Sequence, residues 1–176
     1  MRSGYADEEI EFEDEMRVGT RTELGRKWSP IGHRPNGKQK IGYEYLYLYV
    51  SLKPFTGELF AMFLPRLDKD CFGIFAKERG QTIKTKLLLI ADGATAHRLA
   101  EEKIELVKLP AYAPETNPVE RFFKELRSKL EFCVFESLDE AEVYLTRVLQ
   151  KYYEQPELVK SLTLYPYIKH AQLNLN

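Results

Sequence analysis

The sequence lacks most of the features that fix a function at sight. It has two cysteines, Cys71 and Cys133, far apart and in no Cys-x-x-Cys pair. That argues against a zinc site or a disulfide framework and fits a reducing cytoplasm. Long hydrophobic runs are absent. The longest aliphatic stretch, Leu87 to Ala91, falls far short of the roughly 20 residues of a membrane span, so no membrane partner is expected. Met1-Arg2-Ser3-Gly4 opens the chain without an apolar signal segment. There is no repeat, low-complexity tract or linker. Neither sign of charge prevails: the formal net charge is −1, which by itself points to no polyanionic partner. What remains is an ordinary globular mix of 176 residues, 44% hydrophobic and 30% charged, read as a single domain over residues 1–176.

The charge is unevenly spread. Seven acids lie between residues 7 and 15: Asp7, Glu8, Glu9, Glu11, Glu13, Asp14 and Glu15. Seven cations follow between residues 17 and 40, Arg17, Arg21, Arg26, Lys27, Arg34, Lys38 and Lys40, against one acid, Glu23. This basic segment reads either as a solvated loop or as a phosphate-facing surface.

Hydrophobic spacing gives the elements. Ile10 to Val18 alternates apolar and polar residues and reads as a strand, and Gln39 to Leu52 as a long second one. Lys53-Pro54-Phe55-Thr56-Gly57 has turn chemistry, so Glu58 to Leu64 should return as a hairpin partner. Cys71, Phe72, Phe75 and Ala76 are at helical spacing within a helix over 68–79. Lys86 to Ala91 is a continuous apolar run, as in a central parallel strand. A short helix over 94–102 and a strand over 104–109 follow. Two capped helices then close the chain, one opened by Asn117-Pro118-Val119-Glu120 and the other by Ser137-Leu138-Asp139-Glu140. Three antiparallel strands followed by strand–helix alternation predict an α/β fold: a ribonuclease-H-like mixed sheet with helices packed on both faces.

Three acids fall at telling places in that order. Asp14 is within the first strand. Asp92 follows the carboxyl end of the apolar strand, where open α/β sheets bind ligands. Glu120 is in the first turn of a helix whose Val119, Phe122, Phe123, Leu126 and Leu130 form an apolar stripe, and Lys124 and Arg127 share its edge. Each acid also has a plain structural reading: Asp14 as a solvated acid, Asp92-Gly93 as a turn, Glu120 as half of a capping box. Three converging carboxylates would repel one another unless a cation joined them. All-oxygen donors favour Mg²⁺ or Mn²⁺.

Leu109-Pro110-Ala111-Tyr112-Ala113-Pro114-Glu115-Thr116-Asn117-Pro118-Val119-Glu120 resembles the Leu-Pro-x-Tyr-Ser-Pro-x-x-Asn-Pro-Ile-Glu signature of mariner-like bacterial insertion-sequence transposases, of the Asp-Asp-Glu superfamily. Asp92-Gly93-Ala94-Thr95-Ala96-His97 resembles that family's Asp-Asn-Ala-x-x-His, with Gly93 for its Asn. Asp14-Glu15 and Trp28-Ser29-Pro30-Ile31-Gly32-His33-Arg34-Pro35 resemble its first catalytic strand and a Trp-x-Pro-x-Gly-x-x-Pro hairpin. The likeness runs from about Glu9 to Tyr153. The segment between Asp92 and Glu120 is shorter than is usual in the family.

The resemblance implies a transposase catalytic domain in which Asp14, Asp92 and Glu120 are both catalytic residues and ligands of Mg²⁺, with Mn²⁺ as a substitute and two ions when DNA is bound. Its partners would be the transposon ends and target DNA, with a homo-oligomer forming on them. It further implies a helix-turn-helix region, absent from this chain and expected on a separate subunit or in an upstream reading frame. Arg26, Lys27, Trp28, Arg34, His97, Lys124 and Arg127 are the candidate DNA contacts. His97 has the alternative of capping the short helix after Asp92, and Trp28 that of anchoring a hairpin. Two rival readings stay open: a structure-selective nuclease of the same fold, and an inactive remnant that binds DNA.

Overall fold

The computed structural model describes residues 5–6, 9–34, 36–92, 102–109 and 116–173. In chain order the elements are β1 (Ile10–Gly19), β2 (Tyr45–Leu52), β3 (Leu59–Leu64), α1 (Lys69–Thr82), β4 (Leu87–Ala91), β5 (Ile104–Lys108), α2 (Pro118–Leu130), α3 (Leu138–Glu154), α4 (Pro156–Thr163) and α5 (Pro166–Leu173). The strands form one sheet in the order β3-β2-β1-β4-β5. β1 is its centre, antiparallel to β2 and parallel to β4. This is the ribonuclease-H-like mixed sheet expected.

The alternation along β1 sorts its side chains to two cores. Phe12, Met16 and Val18 join Leu46, Leu48, Val50 and Leu52 of β2 beneath α2, α3 and α4. Tyr49, Leu87, Leu89 and Ile104 pack on the opposite face against Phe72, Phe75 and Ala76 of α1. Period two along β2 puts Tyr47 and Tyr49 on that second face, and the Tyr49 hydroxyl donates to the Arg66 carbonyl at 2.8 Å. Helices therefore cover both faces.

Side-chain caps hold the helix starts; the one at Ser137 is as the sequence predicts, and the one at Asp68 is seen only in the structure. The Asp68 carboxylate accepts from the Asp70 and Cys71 amides at 3.1 and 2.9 Å, and the Ser137 hydroxyl accepts from the Glu140 amide at 3.3 Å. Three expectations need correction. The long second strand begins only at Tyr45, because residues 39–44 lie outside the ladder, with Ile41 and Tyr43 exposed. Two further helices, α4 and α5, follow the pair expected to close the chain, each started by a proline at its first position. The spacing of Leu138, Ala141, Leu145, Val148 and Tyr152 predicts the buried stripe of α3, but Leu149 is buried there and Val148 is only partly covered. Glu102 and Lys103 form a turn, and the rest of the expected 94–102 helix lies outside the described residues.

The acidic run is not a solvated face either. Glu11 is wholly buried and accepts from Arg79 Nε at 3.0 Å and from Nη2 at 2.6 Å; Arg79 Nη2 also reaches Glu58 at 2.6 Å. Burial works against the Arg79 charge, but the hydrogen bonds and charges of Glu11 and Glu58 outweigh it and hold the guanidinium above its ordinary pKa.

Candidate active site

β1 and β4 run parallel with Phe12 opposite Ile90. Asp14 and Asp92 each follow that pair by two residues, Asp92 just past the carboxyl end of β4, and the Asp92 charge is felt at Asp14. Asp14 shares a sheet face with Phe12 and Met16, toward α2, since alternate strand residues share a face. One residue fixes how α2 meets that face. The buried Asn117 accepts from the Val119 amide at 3.1 Å as the helix cap, while its Nδ2 donates to the Glu13 carbonyl at 2.9 Å. The first turn of α2 is thereby tied to the strand next to Asp14, and Glu120 is in that turn. The sequence marked Asn117 as a cap; its tie to β1 was missed, because nothing in the spacing shows which strand a cap will reach.

The electrostatics reflect this gathering. Burial pushes the Asp14 carboxyl up to about 7, and the charges of Glu120, Glu15 and Asp92 add to the effect. The Glu15 amide, donating to Asp14 Oδ1 at 2.9 Å, opposes it. Glu13, wholly buried on the other face, is also pushed well above the carboxylate range, first by burial and then by Glu15, Asp14, Asp92 and Glu11. Among the described residues no group of three or more His, Cys, Asp or Glu side chains is drawn tightly enough to hold a metal ion.

These shifts set the pH dependence of stability. In the unfolded chain Asp14 releases its proton near the ordinary value of 3.8, and in the native chain at about 7. The native state therefore holds more protons across that window, and its stability falls as pH rises through it. Glu13 acts with the same sign. In chelator, urea unfolding should show lower stability at pH 8 than at pH 5, and Asp14→Asn should flatten part of that slope. An unchanged slope in the variant would assign the titration to other groups.

The remaining candidates divide between the two ends of α2. Near its start, Arg127 Nη1 is 3.8 Å from Glu120 Oε2, and Lys124 lines an open hollow with Glu120. The hollow has a volume of about 580 Å³ and is lined, among the described residues, by Asn117, Glu120, Arg121, Lys124, Tyr165, Pro166 and Tyr167. Arg121, Tyr165 and Tyr167 were not singled out from the sequence: Tyr165 and Tyr167 fall where no element was expected, and Arg121 lies off the α2 edge shared by Glu120, Lys124 and Arg127.

Arg26, Lys27, Trp28 and Arg34 instead ride on the segment between β1 and β2. Its base is closed by the Thr20 amide to the Glu44 carbonyl at 3.0 Å and the Thr22 amide to the Lys40 carbonyl at 3.1 Å. The segment lies against the far end of α2: the Phe132 amide donates to the Glu23 carbonyl at 2.9 Å, and Lys27 Nζ is 4.1 Å from the centre of the Phe132 ring. A 13-residue helix is about 20 Å long, so this group is not brought together with Glu120. Trp28 is fully exposed and does not anchor the segment. His97, and the signature over 110–115, lie outside the described residues.

A family model described as DDE superfamily endonuclease matches residues 9–142, a span that includes all three acids. No curated protein matches the sequence. Among solved structures, a pre-cleavage Mos1 transpososome aligns over 90% of this chain and 56% of its own, with a TM-score of 0.64 at 12% identity. The Mos1 strand transfer complex aligns over 88% and 52%, with a TM-score of 0.65 at 13% identity. A Mos1 mariner paired end complex with Mn aligns over 89% and 54%, with a TM-score of 0.64 at 13% identity. At such identities the likeness is one of fold, and this chain spans about half the length of those chains.

Proposed function

We propose that this chain, which belongs to the DDE superfamily endonuclease family, is the catalytic domain of a transposase that cleaves DNA and joins the freed strand to a target. The observation that carries the reading is the double tie at β1. The parallel pair β1 and β4 leads to Asp14 and Asp92, each two residues past the Phe12–Ile90 pair, and Asn117 fastens the turn bearing Glu120 to β1. Asp14, Asp92 and Glu120 would hold divalent ions, Mg²⁺ or Mn²⁺, two of them with DNA in place. The donor set suits such an ion: only hard carboxylate oxygens, with the Asp14 carboxyl raised first by burial and then by the charges of Glu120, Glu15 and Asp92. Bound there, the ions supply Lewis acidity at phosphorus and offset charge on the attacking and leaving oxygens.

The chain's own groups supply placement. Asp14 is on the central strand of a packed sheet and Glu120 on a capped helix, so both are rigidly mounted. Lys124 and Arg127, on the Glu120 edge of α2, would meet the phosphates flanking the scissile bond. The basic segment carrying Arg26, Lys27, Trp28 and Arg34, about a helix length away, would take a separate stretch of duplex or a second copy assembled on it. His97 is assigned to the same DNA surface. Base reading would fall to a helix-turn-helix region elsewhere. The free thiols of Cys71 and Cys133 suit a cytoplasmic setting, and among the described residues no helix is long and apolar enough to cross a membrane.

The test is joining of pre-cut DNA ends to a plasmid. Joined product should appear with Mg²⁺ or Mn²⁺ and vanish with chelator. Nicking without joining would favour the structure-selective nuclease, and neither activity with saturating Mn²⁺ would favour the inactive remnant.

A further inference from the structure

A cation of its own helix already sits at Glu120. Arg127 stands two turns further along α2, a rise of about 10.5 Å, so contact between the two needs a side chain that reaches far back along the helix. Helical side chains lean toward the N-terminus, which favours that reach. The Phe123 ring, between them on the helix, is 5.9 Å from the guanidinium carbon and gives it a rest midway. Arg127 Nη1 ends 3.8 Å from Glu120 Oε2. Another acid, Glu131, stands one turn ahead of Arg127, yet the ion pair is made with Glu120. Both side chains are nearly half exposed, at 47% and 43%, so the pair is open to exchange for other partners. The carboxylate it holds is one whose charge is felt at Asp14. Lys124, lining the same hollow, makes no ion pair with Glu120 among the described residues.

A guanidinium and a divalent ion on one carboxylate repel each other, so each weakens the hold of the other. Phosphate oxygens offer the guanidinium an alternative, since its planar fork matches phosphate as well as carboxylate. Resting on the reading of Glu120 as a metal ligand, we propose that Arg127 is a positioning residue that couples the arrival of DNA to the loading of metal. Away from DNA, Arg127 holds the Glu120 carboxylate and disfavours a divalent ion there. A backbone phosphate laid along this edge of α2 takes the guanidinium, and Glu120 is released to serve as a ligand. The coupling is reciprocal: whatever factor a duplex adds to metal affinity, the metal adds to duplex affinity. The centre is thereby completed chiefly when a phosphate is in place to be attacked.

Titration with Mn²⁺, read by the relaxation of water protons, tests this without turnover. Arg127→Gln should bind Mn²⁺ roughly 1.5- to 5-fold more tightly than the parent, the range for breaking one exposed ion pair. Lys124→Gln should change the affinity less. Glu120→Gln should weaken Mn²⁺ binding, and adding Arg127→Gln to it should give no further gain, because the two substitutions act on one contact. A short duplex should tighten Mn²⁺ binding by the parent more than by Arg127→Gln. The inference is overturned if Arg127→Gln leaves Mn²⁺ affinity unchanged or lowers it, or if Lys124→Gln matches its gain. A gain that persists beside Glu120→Gln, or a duplex effect equal in parent and Arg127→Gln, overturns it too. Weakened binding by Glu120→Gln with no effect of Arg127→Gln sinks this inference alone, whereas undiminished binding by Glu120→Gln sinks the metal-ligand reading on which it rests.

Discussion

The Asp92→Asn protein should fold like the parent and nick DNA in Mg²⁺ at least about 10³-fold more slowly, since a metal clamp supplies several kcal/mol of transition-state stabilisation. Glu120→Gln should do the same. Both substitutions keep side-chain shape and remove a charge, so packing at Met16, Val119 and Phe122 is untouched. The metal-free variants should be no less stable than the parent. Asp14 is destabilised partly by Glu120 and Asp92, and removing either charge relieves it. A melting scan in chelator beside the nicking assay separates the two effects. Near-parental nicking by a folded Asp92→Asn protein would remove Asp92 from the site.

Arg79→Met should destabilise the protein by about 3–5 kcal/mol, the toll of leaving a buried charge without its partner. The partner is Glu11, wholly buried on the central strand of the sheet. Glu58, the other acid on Arg79, is 44% exposed and keeps Lys53 at 2.8 Å, so it contributes little to the loss. Replacing both members, Glu11→Leu with Arg79→Met, should recover most of the stability, because a buried ion pair exchanged for apolar volume is often neutral. Urea unfolding of the two single variants and the double reads this directly. Additive losses in the double would show that the pair is not what the single substitution breaks. A globular domain has about 5–15 kcal/mol in all, so the single variant should be close to its folding limit.

Much of this architecture is written in local pattern. The alternation of Ile10 to Val18 set β1, the apolar run at Leu87 set β4, and the stripe from Val119 to Leu130 set the buried face of α2, because each reports a periodic solvent boundary. The caps at Asn117 and Ser137 fixed helix starts for the same local reason. Relations between distant segments were hidden. Glu11 looked like one more acid in a charged run, and its partner is 68 residues away. Residues 39–44 have strand composition and no strand to pair with, so propensity alone misplaced the start of β2. The proline starts of α4 and α5 were readable signals that went unused, and with them went Tyr165 and Tyr167. As for the acids, the sequence placed Asp14, Asp92 and Glu120 on the right kinds of element. The register between β1 and β4 and the Asn117 tie, which set their spacing, are tertiary facts.

The tie between Asn117 and the Glu13 carbonyl spans 104 residues, and the acids it serves are as far apart in the chain. On a ribosome, Asp14 and the first hairpin emerge early and Asp92 later. Glu120 cannot reach β1 until α2 has been made and cleared the exit tunnel. Contacts of such sequence separation form late, since their loop-closure entropy is lost before they return any stabilisation. The metal centre proposed above would therefore stay incomplete in every chain truncated before α2, and its activity would arrive only once α2 has closed onto β1.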